Sequence, residues 1–92
     1  MAVGVYFAPR SLSKEQYDEV TAKLEAAGAG KPPGRLYHVS FVGHPGSLHV
    51  FEVFDSQESL ETYAQTLMPV LAEVGVDPGR PVVAEVHNII PG

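Results

Sequence analysis

The stretch Arg35-Leu-Tyr-His-Val-Ser-Phe-Val-Gly-His-Pro-Gly-Ser-Leu-His-Val-Phe-Glu-Val-Phe54 decides the fold. Two runs rich in β-branched and aromatic residues, Arg35–Gly43 and Leu48–Phe54, flank His44-Pro-Gly-Ser47. The flanking runs read as strands and the tetrapeptide as a turn, so the stretch is an antiparallel hairpin. If the loop holds an odd number of residues, Tyr37, Val39 and Phe41 pair with His49, Phe51 and Val53 on one face. Leu36, His38, Ser40, Val42, Leu48, Val50, Glu52 and Phe54 then share the other.

Upstream, Ala2–Ala8 alternates Val3, Val5 and Phe7 against Gly4 and Tyr6, a strand that Pro9 ends. Ser13 and Gln16 form a capping box, in which hydroxyl and amide each satisfy an orphan backbone N–H. Tyr17, Val20, Leu24 and Ala27 follow at helical spacing, and Gly28 closes that helix. Gly28–Gly34 is a loop. It has no phosphate-cradle pattern and reads as a connector. Downstream, Asp55 or Ser56 caps a second helix with the stripe Leu60, Tyr63, Ala64, Leu67, Leu71 and Val74, ended by Gly75. Pro69 falls inside it and predicts a kink or break near Met68. After a Pro- and Gly-rich loop, Val82–Ile89 is the last strand.

The order β-α-β-β-α-β predicts an α+β, ferredoxin-like domain spanning residues 1–92, with an antiparallel four-stranded sheet and both helices on one face. Taking Val3, Val5 and Phe7 as helix-facing, the reading sets Tyr37, Val39, Phe41, Val82, Ala84 and Val86 on that face too. The opposite face then collects Tyr6, His38, Ser40, Val42, Val50, Glu52, Phe54, Glu85 and His87. That mixture of large apolar and polar side chains predicts a homodimer through Val42, Val50 and Phe54, because a monomer would leave the face in water.

The run Leu48–Leu60, the aromatic Tyr63 and the ending His87-Asn-Ile-Ile-Pro-Gly92 resemble the dimeric α+β barrel superfamily, and within it the antibiotic-biosynthesis monooxygenase-like branch. In that branch an aromatic-Glu-Val-aromatic third strand runs into a Ser-capped helix. The resemblance spans nearly the whole chain and implies the dimeric barrel fold. Its members include cofactor-free oxygenases, haem-degrading enzymes, isomerases and decarboxylases, so it implies no single reaction.

Composition narrows the chemistry. Six Lys and Arg against eleven Asp and Glu give a net charge of −5, which argues against nucleic-acid and anionic-membrane partners. No apolar run is long enough for a membrane span. The absence of Cys excludes disulfides, thiolate metal sites and a Cys nucleophile, and fits a cytoplasmic location. The haem-degrading relatives use an Asn–Trp–His pattern, and this chain has no Trp.

The candidate catalytic pair is His38 and Glu52. An imidazole beside a carboxylate in an apolar cavity can act as general base or acid, since imidazole titrates near neutrality. Tyr6, Ser40, Val42, Val50, Phe54 and His87 are the candidate substrate-binding residues. His38, His87 and Glu52 also have the composition of a two-His, one-carboxylate metal set, but no local ligand spacing supports it, so no metal and no cofactor are expected. His44 reads as solvated and His49 as a peripheral packing residue. The sequence therefore predicts a homodimeric small-molecule-binding barrel, with cofactor-independent proton transfer, isomerisation or monooxygenation of an apolar or aromatic substrate. The alternative is a non-catalytic binding or interaction module whose polar cluster fixes the dimer's register.

Overall fold

The computed structural model describes residues 1–43 and 46–92. His44 and Pro45, at the expected hairpin turn, lie outside the described residues. The elements run β1 (Val3–Phe7), α1 (Lys14–Ala26), β2 (Arg35–Val42), β3 (Leu48–Phe54), α2 (Gln57–Val74) and β4 (Val82–Glu85). All strand pairings are antiparallel, in the spatial order β2-β3-β1-β4. This is the ferredoxin-like α+β topology expected from the sequence. The last strand is shorter than read, ending at Glu85 rather than Ile89.

Local chemistry sets the helix ends. Ser13 accepts from the Gln16 N–H while the Gln16 side chain accepts from the Ser13 N–H, completing the capping box. Ser56, one of the two expected caps, accepts from the Ser59 N–H. Gly75 ends α2 in the left-handed conformation. The expected break at Pro69 is absent: α2 is helical from Gln57 to Val74. Pro69 sits on the exposed side of the helix, where water can bond the carbonyl it frees, while Val70 and Leu71 continue the buried stripe.

The hairpin register is the odd-loop register, with Tyr37 opposite Val53, Val39 opposite Phe51, and Phe41 opposite His49. The face assigned to it is reversed. Val5 stands directly opposite Glu52, and Phe7 opposite Val50, so Val50, Glu52 and Phe54 lie on the helix side with Val3 and Val5. Val50, Glu52 and Phe54 are buried there. β4 is reversed as well, since Val83 pairs with Val5 and Val82 with Tyr6. The open face thus carries Tyr6, Tyr37, Val39, Phe41, His49, Phe51 and Val82. Val50 and Phe54 are core residues and not interface residues, and Val42 shares their side at the exposed end of β2.

A bulge interrupts the hairpin between Arg35 and Tyr37. Arg35 stands opposite Phe54 and Tyr37 opposite Val53, so Leu36 is the extra residue. Plain alternation would put Arg35 with Tyr37 on the open face; the bulge returns it to the helix side.

The core lies between sheet and helices, with Val3, Val5, Leu48 and Phe54 against Val20, Leu24, Leu60, Tyr63, Leu67 and Leu71. The loop after β1 is tied to the hairpin by buried Ser47. Its hydroxyl donates to the Pro9 carbonyl at 2.8 Å and accepts from the Leu12 N–H at 2.8 Å. The Leu48 N–H reinforces the tie by donating to the Leu12 carbonyl at 2.9 Å. Ser47→Ala leaves both partners buried and unpaired, so it should cost about 1–3 kcal/mol. Urea unfolding should show a lower midpoint at unchanged slope; an unchanged midpoint would refute the role.

Tyr63 packs against Phe54 with its ring tilted, 5.5 Å between centroids. Burial pushes its phenol well above the ordinary 10.0, the Glu52 charge acts in the same direction, and Arg35 opposes both. A raised folded-state value stabilises the fold fully below the unfolded value and is lost as pH rises past it. Stability should therefore fall above about pH 10, and Tyr63→Phe should flatten that decline in denaturation midpoints measured across alkaline pH.

Candidate functional site

Glu52 is the most unusual residue of the core: a carboxylate 1% exposed, in mid-strand, beneath the helices. An unpaired charge there would be costly, so its neighbours define the site. His38 is its direct cross-strand partner, and His38 Nδ1 lies 2.6 Å from Glu52 Oε1. Arg35, brought to this side by the bulge, donates from Nη1 to the same oxygen at 3.3 Å. Its Nη2 donates to the Gly30 carbonyl at 2.8 Å, and its guanidinium lies 5.8 Å from the Tyr63 ring centroid. On the other edge of the imidazole, His38 Nε2 is 2.7 Å from the Tyr17 hydroxyl of α1. Tyr17, His38, Glu52 and Arg35 thus form one continuous polar chain.

Tyr17, His38 and Glu52 of this chain line a cavity of about 70 Å³ between sheet and helices. Phe7, Leu12, Val20, Leu24, Val50 and Leu67 supply much of its apolar wall, and Tyr17, His38, Glu52 and Tyr63 its polar end. The His38 side chain is 28% exposed, because β2 is an edge strand. An outer groove lined by Lys31, Arg35, Leu36, Tyr37 and His38 reaches it from solvent. A histidine held by a carboxylate at the end of an apolar cavity has the parts of a general base or acid.

His38 and Glu52 do meet, although on the helix side of the sheet and not on the open face. Val50 lines their cavity. Ser40 shares the strand face but is exposed and is not part of the cavity lining. Phe54 packs in the core, and Val42 stands exposed at the end of β2. Tyr6 lies on the opposite face, where its hydroxyl is 2.8 Å from His49 Nδ1 and its ring stacks on Phe41. His49 is therefore on the open face and not the helix-facing one. His87 is exposed beyond β4, the strand at the far edge from β2. Among the described residues no three His, Asp or Glu side chains converge to hold a metal ion, so the set His38, His87 and Glu52 is not assembled.

Three site residues were not singled out from the sequence. Tyr17 and Tyr63 carry the spacing of helix-core residues and were read as such. Arg35 opens a strand, and nothing in its spacing reveals the bulge that turns it inward.

The sequence matches no protein-family model and no curated protein. Solved structures do match. A candidate antibiotic biosynthesis monooxygenase from Caulobacter crescentus CB15 superposes with a TM-score of 0.66 at 19% identity, over 97% of this chain and 91% of that one. Another, from Chloroflexus aurantiacus J-10-fl, gives 0.65 at 22% identity over 100% of both chains. SnoaB, a cofactor-independent oxygenase from Streptomyces nogalater, gives 0.64 at 12% identity over 99% of this chain and 96% of that one. Among the described residues, no helix is long and apolar enough to cross a membrane. The chain has the fold shared by these antibiotic-biosynthesis monooxygenase structures.

Proposed function

We propose that the chain binds a small, largely apolar or aromatic molecule in the cavity between sheet and helices, and that His38 moves a proton there. The observation that carries this reading is the 2.6 Å contact between His38 and buried Glu52 at the polar end of an apolar cavity. Glu52 orients the imidazole and balances the charge it gains, and Arg35 keeps the carboxylate paired. Removing a proton from an acidic O–H or C–H needs no cofactor. It can begin an isomerisation or prepare an activated phenol-like substrate for reaction with oxygen. SnoaB, cofactor-independent on the same fold, is consistent with this chemistry.

Native mass spectrometry of the purified protein should reveal a retained small molecule. On that ligand, His38→Ala should lower turnover roughly 10²–10⁴-fold, the usual reach of one acid–base group, with the circular dichroism spectrum unchanged. Full turnover in that variant would overturn the role of His38. The second reading, a non-catalytic binding module, draws support from the cavity's size: 70 Å³ is below the roughly 300–1,000 Å³ of usual ligand sites. Tight binding with no turnover would favour it.

The proposal includes a homodimer in a cytoplasmic setting, without nucleic-acid or membrane partners. Its interface is the open sheet face. Tyr37, Val39, Phe41, Phe51 and Val82 are each more than a third exposed there, a contiguous apolar surface that a second copy of the sheet would cover. Light scattering at micromolar concentration should report a dimer, and Val39→Asp should dissociate it by burying an unpaired charge. A wild-type monomer would overturn this interface.

A further inference from the structure

Both ring nitrogens of His38 are engaged. An ionised carboxylate only accepts hydrogen bonds, so beside Glu52 the Nδ1 atom carries the proton of a neutral imidazole. Nε2 is then the acceptor, and the Tyr17 hydroxyl donates to it at 2.7 Å. A molecule entering the cavity therefore does not meet a free imidazole lone pair. It meets Tyr17, which lines the cavity and covers that lone pair.

We propose that Tyr17 is the catalytic residue that touches the substrate, and that it relays the proton between substrate and His38. This rests on the reading of His38 as the base. As the substrate X–H bond breaks, its proton passes to Tyr17 Oη, and the proton already on Oη passes to His38 Nε2. One X–H bond is exchanged for one N–H bond, and the Tyr17 O–H bond is broken and remade. The products are a substrate anion and an imidazolium, with no change of oxidation state. The imidazolium rests against Glu52, and the reformed Tyr17 hydroxyl faces the new anion as a hydrogen-bond donor. The return proton follows the same path in reverse.

The fold gives Tyr17 a position suited to this task. It comes from α1, whereas His38 and Glu52 come from the sheet, and its ring packs partly against the core. Among the described residues, the Tyr17–His38 bond is the side-chain hydrogen bond that joins α1 to β2. The hydroxyl is thus held by a rigid helix and not by a loop. The competing role is a plug that must swing aside before substrate reaches His38 directly.

The two roles give opposite results with acetylacetone, a small apolar carbon acid, whose methylene exchange into D₂O is followed by proton NMR. The wild-type protein should speed exchange above the buffer rate. His38→Ala and Tyr17→Phe should both lose that acceleration, by roughly 10²-fold or more, with circular dichroism unchanged. Wild-type or faster exchange in Tyr17→Phe, together with loss in His38→Ala, would overturn the relay and leave the base intact. Wild-type exchange no faster than His38→Ala would overturn the base and the relay together. Should Tyr17→Phe fail to fold, 3-fluorotyrosine at position 17 keeps the shape and makes the phenol more acidic. The relay then predicts an altered exchange rate, and an unchanged rate would overturn it.

Discussion

A carboxylate buried in mid-sheet is the constraint on which the arrangement of this protein depends. Burying Glu52 without partners would cost several kcal/mol, and the structure meets that demand with three side chains from two elements. β2 provides His38 at the paired position, the bulge provides Arg35, and α1 provides the hydroxyl that completes the other side of the imidazole. Each partner is in turn held. Arg35 is anchored by the Gly30 carbonyl and the Tyr63 ring, and Tyr17 by its packing on the core. A buried ion pair is weak evidence for stability, since a hydrophobic replacement of the same shape often serves as well. Its interest lies in its location, with His38 and Glu52 both lining an otherwise largely apolar cavity.

The element order was legible from the sequence because each boundary has local chemistry: the capping box at Ser13, the Ser56 cap, the left-handed Gly75 and the turn residues of the hairpin. Hairpin register was legible only on the condition of an odd loop, a condition that the pairing of Val42 with Leu48 meets. Which side of the hairpin faces the helices was not. Tyr37, Val39 and Phe41 are as apolar as any core strand, and Glu52 and His38 are as polar as any solvent face. Hydrophobicity therefore points the wrong way on both sides. Only the pairing of Val5 with Glu52 resolves the matter, and cross-strand pairing between distant segments leaves no mark in one sequence. The pairing of His38 with Glu52 survived the reversal because the two share parity whichever way the hairpin turns. Tyr6 did not, because its strand was oriented independently.

The same reversal explains the open face. Its apolar side chains look like a core because they occupy positions suited to being covered, and the Tyr6–His49 pair and the Tyr6–Phe41 stack give it internal order. The polar groups expected to specify a dimer lie instead on the other side of the sheet. The open face and the cavity are thus separated by the thickness of one sheet. Substitutions can alter one surface while leaving the other's side chains in place.

The bulge at Leu36 has a consequence for how this chain tolerates insertions and deletions. Removing Leu36 would erase no charge and no core residue, and Leu36 itself is exposed. With Leu36 gone, Arg35 would directly precede Tyr37, and plain alternation would keep it opposite Phe54 on the helix side. Straightening the bulge with Leu36 in place would instead carry the guanidinium to the open face, so that Glu52 would lose a cation and an apolar surface would gain one. The electrostatics of the cavity are encoded here in chain length as much as in residue type, and this stretch should tolerate the loss of its extra residue better than the loss of its irregularity.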